Sequence, residues 1–240
     1  MFPISDDNPS RIRPYVTYAF IASCVVIYLW QFSLGNKEGE AAVFQLGMIP
    51  ARLFGYKEMA GIPPWATVIT SMFMHGGFMH LGGNMLFLWI FGDNIEDSMG
   101  HVKFACFYII CGAAAALTQG FLNPDSTIPM VGASGAISGV MGAYVLLHPF
   151  ATVRVLLFLG ILFWIAHIPA LLVLGFWFAA QLFNAVTAPA DVPGVAFWAH
   201  IGGFVAGVVL VPFFKDKYVA IWQSARSKAF ELEKRKGPWG

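Results

Sequence analysis

Long apolar windows alternate with short polar breaks along the chain. Windows free of Asp, Glu, Lys and Arg run over residues 14–36, 59–92, 104–124, 126–153, 155–190 and 192–214. Their lengths are 23, 34, 21, 28, 36 and 23 residues. A membrane-crossing helix needs about 20 mostly apolar residues. One span per window predicts an all-α, polytopic membrane protein with six transmembrane helices. The 36-residue window exceeds one helix, and Pro169 divides it. Residues 170–186 suit a span, whereas 155–168 read as an apolar, partly embedded connection. A seventh span is the competing count. Residues 1–214 are then the membrane domain. Residues 215–240 form a charged cytoplasmic tail of a kind that can rest on anionic lipid headgroups.

Composition agrees and narrows the class. The chain is 58% hydrophobic and only 11% charged, against about 25% charged in soluble domains. That balance excludes a soluble domain and a disordered chain. A net charge of +1 leaves no broad basic face, so no nucleic-acid partner is expected. Cys24, Cys106 and Cys111 all fall in apolar windows and read as small buried residues rather than a metal or redox pair. Asp6 and Asp7 precede a first apolar run that is a full span, which is no signal-peptide pattern. No transit peptide or large soluble extension is evident, and the expectation is a prokaryotic plasma (inner) membrane.

Lys and Arg concentrate in cytoplasmic loops. With the N-terminus inside, all of the 14 basic residues except Lys37, Arg52 and Lys57 lie on inner segments. The orientation is therefore N-in and C-in. The second, fourth and sixth spans then start on the outside. His75, His80 and Asn84 stand near the start of the second, Ser134 near the start of the fourth, and His200 near the start of the sixth. Parity alone gathers them on the extracytoplasmic side at similar depth.

Their chemistry can be read one by one. Ser134 sits in Gly132-Ala133-Ser134-Gly135 at a helix start, where free backbone N–H groups and the positive dipole end meet. Such donors suit an oxyanion made by serine attack on a carbonyl; a plain helix-capping serine is the alternative. Gly135, Gly139 and Gly142 share a face of the fourth span, and Gly203 and Gly207 form a stripe on the sixth. Small-residue stripes let membrane helices approach closely. His200 is then a candidate general base for Ser134, against a merely hydrogen-bonded histidine. His80 and Asn84 are one helical turn apart and can both donate hydrogen bonds. His75 falls off that face and reads as a loop anchor. A metal site on His75, His80 and His200 lacks a neighbouring carboxylate or thiol and has poor i, i+5 spacing, so neither metal nor cofactor is expected. His148, Gln181 and Asn184 read as structural, the last two as inter-helix hydrogen bonds.

Three blocks resemble one family, the rhomboid intramembrane serine proteases. They are His75-Gly-Gly-Phe-Met-His80-Leu-Gly-Gly-Asn84, Gly132-Ala-Ser134-Gly135 and Ala199-His200-Ile-Gly-Gly203-Phe-Val-Ala-Gly207, in that order. The turn Phe91-Gly-Asp-Asn-Ile-Glu96-Asp-Ser-Met-Gly100 also looks like the family. The resemblance implies a Ser134–His200 dyad without a third acid. It implies an oxyanion hole from the Ser134 N–H, His80 and Asn84, and substrates that are transmembrane proteins. It also implies a mobile cap around Ala188–Ala199. Two positions depart from the pattern. Arg52 and Trp65 are not the adjacent Trp-Arg pair of many members. Ser138 stands where some members place an aromatic beneath the base, so the resemblance does not say what orients His200.

A non-enzymatic binder of transmembrane clients and a small transporter are the rival classes. Intact Ser134 and His200 disfavour the first. The absence of repeated halves or mid-membrane charges disfavours the second.

Overall fold

In a computed structural model of the chain, the described residues are 2–56, 61–160, 162–188 and 194–224. Strand β1 (Phe2–Asp6) leads into helix α1 (Tyr15–Ser33). Helices α2 (Gly35–Leu46), α3 (Pro50–Leu53) and α4 (Pro64–Thr70) follow. Then come α5 (Phe78–Met99), α6 (His101–Leu122) and α7 (Ser134–Leu147). Strands β2 (Thr152–Leu159) and β3 (Leu162–Pro169) precede α8 (Ala170–Thr187) and α9 (Phe197–Phe214). The protein is mostly helical. Among the described residues, four helices are long and apolar enough to cross a membrane: α1, α6, α8 and α9. Helix α5 has the length but carries Asp93, Glu96 and Asp97. Helix α7 has only 14 residues, about 21 Å of rise, and most of its residues are buried.

Glycine makes that central position possible. Helix α7 lies against both α6 and α9. A Cβ on Gly203 would overlap the carbonyl oxygen of Gly135, and one on Gly207 would overlap that of Gly139. On the other side a Cβ on Gly139 would strike Cys111 of α6. Backbone thus touches backbone along α7 and α9, as the two stripes predicted. Cys24 and Cys111 are buried, but Cys106 is exposed on the outer face of α6, contrary to expectation.

The expectation of an all-α fold fails at one place. The apolar connection expected at 155–168 is part of an antiparallel β-hairpin over residues 152–169. It starts from Thr152↔Pro169 and closes at Leu159↔Leu162, with Gly160 at φ +66° in the turn. Alternate residues Val153 and Val155 are fully buried, which is the period of a half-buried strand. Strand β1 adds to the other edge of β2 through Asp6↔Val153 and Phe2↔Leu156, with an irregularity between Pro3 and Ser5.

The far end of α5 ties the N-terminal segment down. Fully buried Glu96 accepts from the backbone N–H groups of Val16 (2.9 Å) and Thr17 (2.8 Å), the Thr17 hydroxyl (2.7 Å) and His101 Nδ1 (2.5 Å). Helix α1 starts at Pro14 with no side-chain cap of its own, so Glu96 supplies the cap from another helix. Between α1 and α5, buried Arg52 donates to the carbonyls of Gln45 and Ile62 and pins the loop that lacks the Trp-Arg pair. The expected cap at 188–199 falls partly on residues 189–193, and the expected tail partly on 225–240; both stretches lie outside the described residues.

Candidate active site

Ser134 is the first residue of α7, and its hydroxyl does not cap that helix. The turn before it depends on Gly132, which holds φ +125°, a region other residues rarely adopt. A Cβ there would also lie 2.7 Å from the His80 ring. The Gly132 N–H donates to the Ser71 carbonyl (2.8 Å), anchoring the turn on the segment that follows α4. The serine hydroxyl is thereby held out toward α9.

His200 lies in the first turn of α9 and is 9% exposed. Its Nε2 is 2.8 Å from Ser134 Oγ. The glycine contact between α7 and α9 brings the two within reach, and Gln119 of α6 accepts from the Ala199 N–H (3.3 Å) to fix the start of α9. On the other ring edge, His200 Nδ1 is 2.8 Å from Gln181 Oε1 of α8. Trp177, one turn earlier on α8, stands 5.8 Å from the His200 ring at a 36° tilt. Ser138 makes no contribution to the ring; its hydroxyl donates to the Ser134 carbonyl (2.6 Å).

Helix α5 brings up His80 and Asn84 beside Gly132. The Gly76 N–H donates to His80 Nδ1 (3.3 Å). That places the ring proton on Nε2, the atom facing Gly132, and makes it a donor toward the serine turn. Asn84 is 8% exposed, and its Nδ2 is buried with no hydrogen-bond partner among the described residues. An unpartnered buried amide is costly, and here it lies on the wall of a cavity. That cavity measures about 610 Å³ and is lined by His80, Asn84, Ser134 and His200, with Met79 and Trp198 among its apolar walls.

His75 stands apart from this set. It is fully buried behind His80, with ring centroids 5.3 Å apart. Its backbone is held on both sides by Gln31 of α1, through N–H to Oε1 (3.4 Å) and carbonyl to Nε2 (2.9 Å). Among the described residues no three His, Cys, Asp or Glu side chains gather as a metal site. The residues that sequence reasoning left aside are Gln181 and Trp177. Their signal was an i, i+4 pair on an otherwise apolar span, which is indistinguishable from packing until the fold puts His200 beside it.

A family model described as the rhomboid domain matches residues 63–217, well over half of the chain. This chain belongs to the rhomboid family. It is similar to Rhomboid-like protein 11, chloroplastic, of Arabidopsis thaliana, with 29% identity over 62% of this chain and 52% of the relative. It is also similar to Rhomboid protease GluP of Bacillus subtilis, with 31% identity over 55% of this chain and 24% of the relative. Rhomboid protein 1, mitochondrial, of Saccharomyces cerevisiae is 33% identical over 60% of this chain and 40% of its own length. The chain thus spans about half or less of these relatives. Rhomboid proteins are generally intramembrane serine proteases, although some relatives are inactive. The apolar helices make this a membrane protein, but two of these relatives carry organelle names, so the expectation of a prokaryotic plasma membrane is not supported.

Proposed function

We propose that the protein is an intramembrane serine endopeptidase acting on transmembrane proteins. The observation that carries this reading is the 2.8 Å pairing of Ser134 Oγ with His200 Nε2 at the wall of a cavity. Ser134 attacks the scissile carbonyl while His200 takes its proton. The oxyanion is held by the Ser134 N–H, His80 Nε2–H and Asn84 Nδ2, the last of which has no other partner among the described residues to give up. His200 then protonates the leaving amine, and water releases the acyl group. Gly132, Gly135, Gly203 and Gly207 support the site by allowing the turn and the close approach of α7 to α9. His75 supports it by backing His80.

In this reading the six spans are α1, α5, α6, α7, α8 and α9, with both termini inside. Residues 1–214 are the protease domain, and 215–240 a cytoplasmic tail. The site opens on the extracytoplasmic side, where water can reach a short, buried α7. Substrate helices must unwind to be cut, because a helical backbone in lipid keeps its hydrogen bonds. That favours small residues near the cut.

The test is cleavage of a model substrate with a Gly/Ala-rich transmembrane segment by reconstituted protein. Ser134→Ala and His200→Ala should each lower kcat by about 10⁴-fold or more. Undiminished cleavage by Ser134→Ala would refute the mechanism.

A further inference from the structure

We infer that Gln181 is a positioning residue for the base, making the unit Ser134–His200–Gln181 rather than a bare pair. The inference rests on the proposed dyad. It starts from a requirement of imidazole chemistry. A neutral ring has one donor and one acceptor nitrogen, and only the tautomer with its proton on Nδ1 can accept from the serine hydroxyl at Nε2. Gln181 Oε1 lies 2.8 Å from Nδ1, on the opposite ring edge from Ser134. A carbonyl oxygen there accepts the Nδ1 proton and selects the productive tautomer. The reverse amide orientation would present an N–H₂ to Nδ1, move the ring proton to Nε2 and disarm the base. The orientation with Oε1 toward Nδ1 is the one in which His200 can take the Ser134 proton at Nε2.

Helix α8 also supplies Trp177, 5.8 Å from the His200 ring and one helical turn before Gln181. Two side chains of one helix thus set both the plane and the proton of the base. They take over the task that Ser138 of α7 does not perform, since its hydroxyl is turned back to the Ser134 carbonyl. A neutral amide suits the place. Gln181 is 9% exposed within an apolar helix, and a carboxylate there would have to be stripped of water. His200 gains a hydrogen-bond acceptor without a permanent buried charge.

The test uses the full chain in lipid, with imidazole-¹⁵N histidine. The His200 signal is assigned by its loss in His200→Ala. Wild type should show a protonated Nδ1 and an unprotonated Nε2. Gln181→Met keeps the size and removes the acceptor. It should mix the tautomers and lower kcat roughly 10–100-fold while leaving KM within about twofold. Gln181→Glu restores an acceptor and should recover the Nδ1 proton, with kcat above that of Gln181→Met. An unprotonated Nδ1 in wild type would overturn the inference without any variant. So would Gln181→Met with wild-type kcat and an unchanged His200 spectrum. If Ser134→Ala still cleaved, the dyad itself would fall, and the tautomer measurement would judge Gln181 separately.

Discussion

The two ends of the helix bundle are both polar, and they handle polarity in opposite ways. At one end of α5, Glu96 accepts four hydrogen bonds, and Asn94 bonds Asn8 through both its oxygen (2.9 Å) and its nitrogen (2.8 Å). Ser98 donates to the Asn94 carbonyl and meets His148 Nε2 at 3.3 Å. Toward the other end of α5, Asn84 Nδ2 is buried with no partner among the described residues and faces a cavity. The first end is densely hydrogen-bonded and ties the N-terminal segment to α5. The second is left short of acceptors, as the proposed oxyanion site requires. Burial alone does not separate the two; the hydrogen-bond balance does.

The comparison breaks most readily at Glu96. Glu96→Ala leaves the start of α1 and His101 without their shared acceptor and should cost about 3–5 kcal/mol. A fall in the thermal unfolding midpoint measures it, and cleavage per folded molecule should hold. An unshifted midpoint would remove the distinction between the ends. Asn84→Ala should do the converse. It removes a donor that has no partner among the described residues, so stability should stay within about 1 kcal/mol. Cleavage should fall about 10²-fold in kcat. Loss of stability with intact kcat would assign Asn84 to packing.

The smallest effect is at Asp6, on β1 at the same end as Glu96. Burial pushes its carboxyl up to about 7, opposed by the Tyr144 hydroxyl at 2.5 Å and reinforced by Asp93 and Asp7. Folding therefore favours the protonated acid. The stability it contributes is complete below the unfolded value of about 4 and is lost as pH rises toward 7. Asp6→Asn should flatten that decline in unfolding midpoints taken from pH 4 to 8. A decline of unchanged slope in the variant would acquit Asp6.

Much of this was legible in the chain. The charge-free windows located α1, α5, α6, α7, α8 and α9, whereas most of α2 and all of α3 fall in the charged stretch between two windows. Parity placed His80, Asn84, Ser134 and His200 together, because consecutive spans alternate direction. The glycine stripes predicted the contact of α7 with α9, since spacing of four on a helix is a local property. What escaped was non-local. Strand β1 pairs with a partner some 150 residues away, which leaves no mark near Phe2–Asp6. The hairpin escaped because an uncharged run such as 155–168 reads equally well as lipid-embedded. Glu96 looked like a turn residue, yet it caps a helix 80 residues upstream. Gln181 carried a polar side chain but no spacing that pointed at His200.

The pairing of β1 with β2 also dictates an order of assembly. Asp6 cannot meet Val153 until the intervening chain has left the ribosome, a wait of roughly 7–30 s at about 5–20 residues per second. Helix α1 is synthesised long before its leading strand has a partner. The sheet is thus a late fastening, closing the loop between the N-terminal segment and the α7–α8 connection only after the central helices are in place. Pairing across so long a stretch of chain is intrinsically slow to form, and the strands meet at the opposite end of α7 from the serine turn.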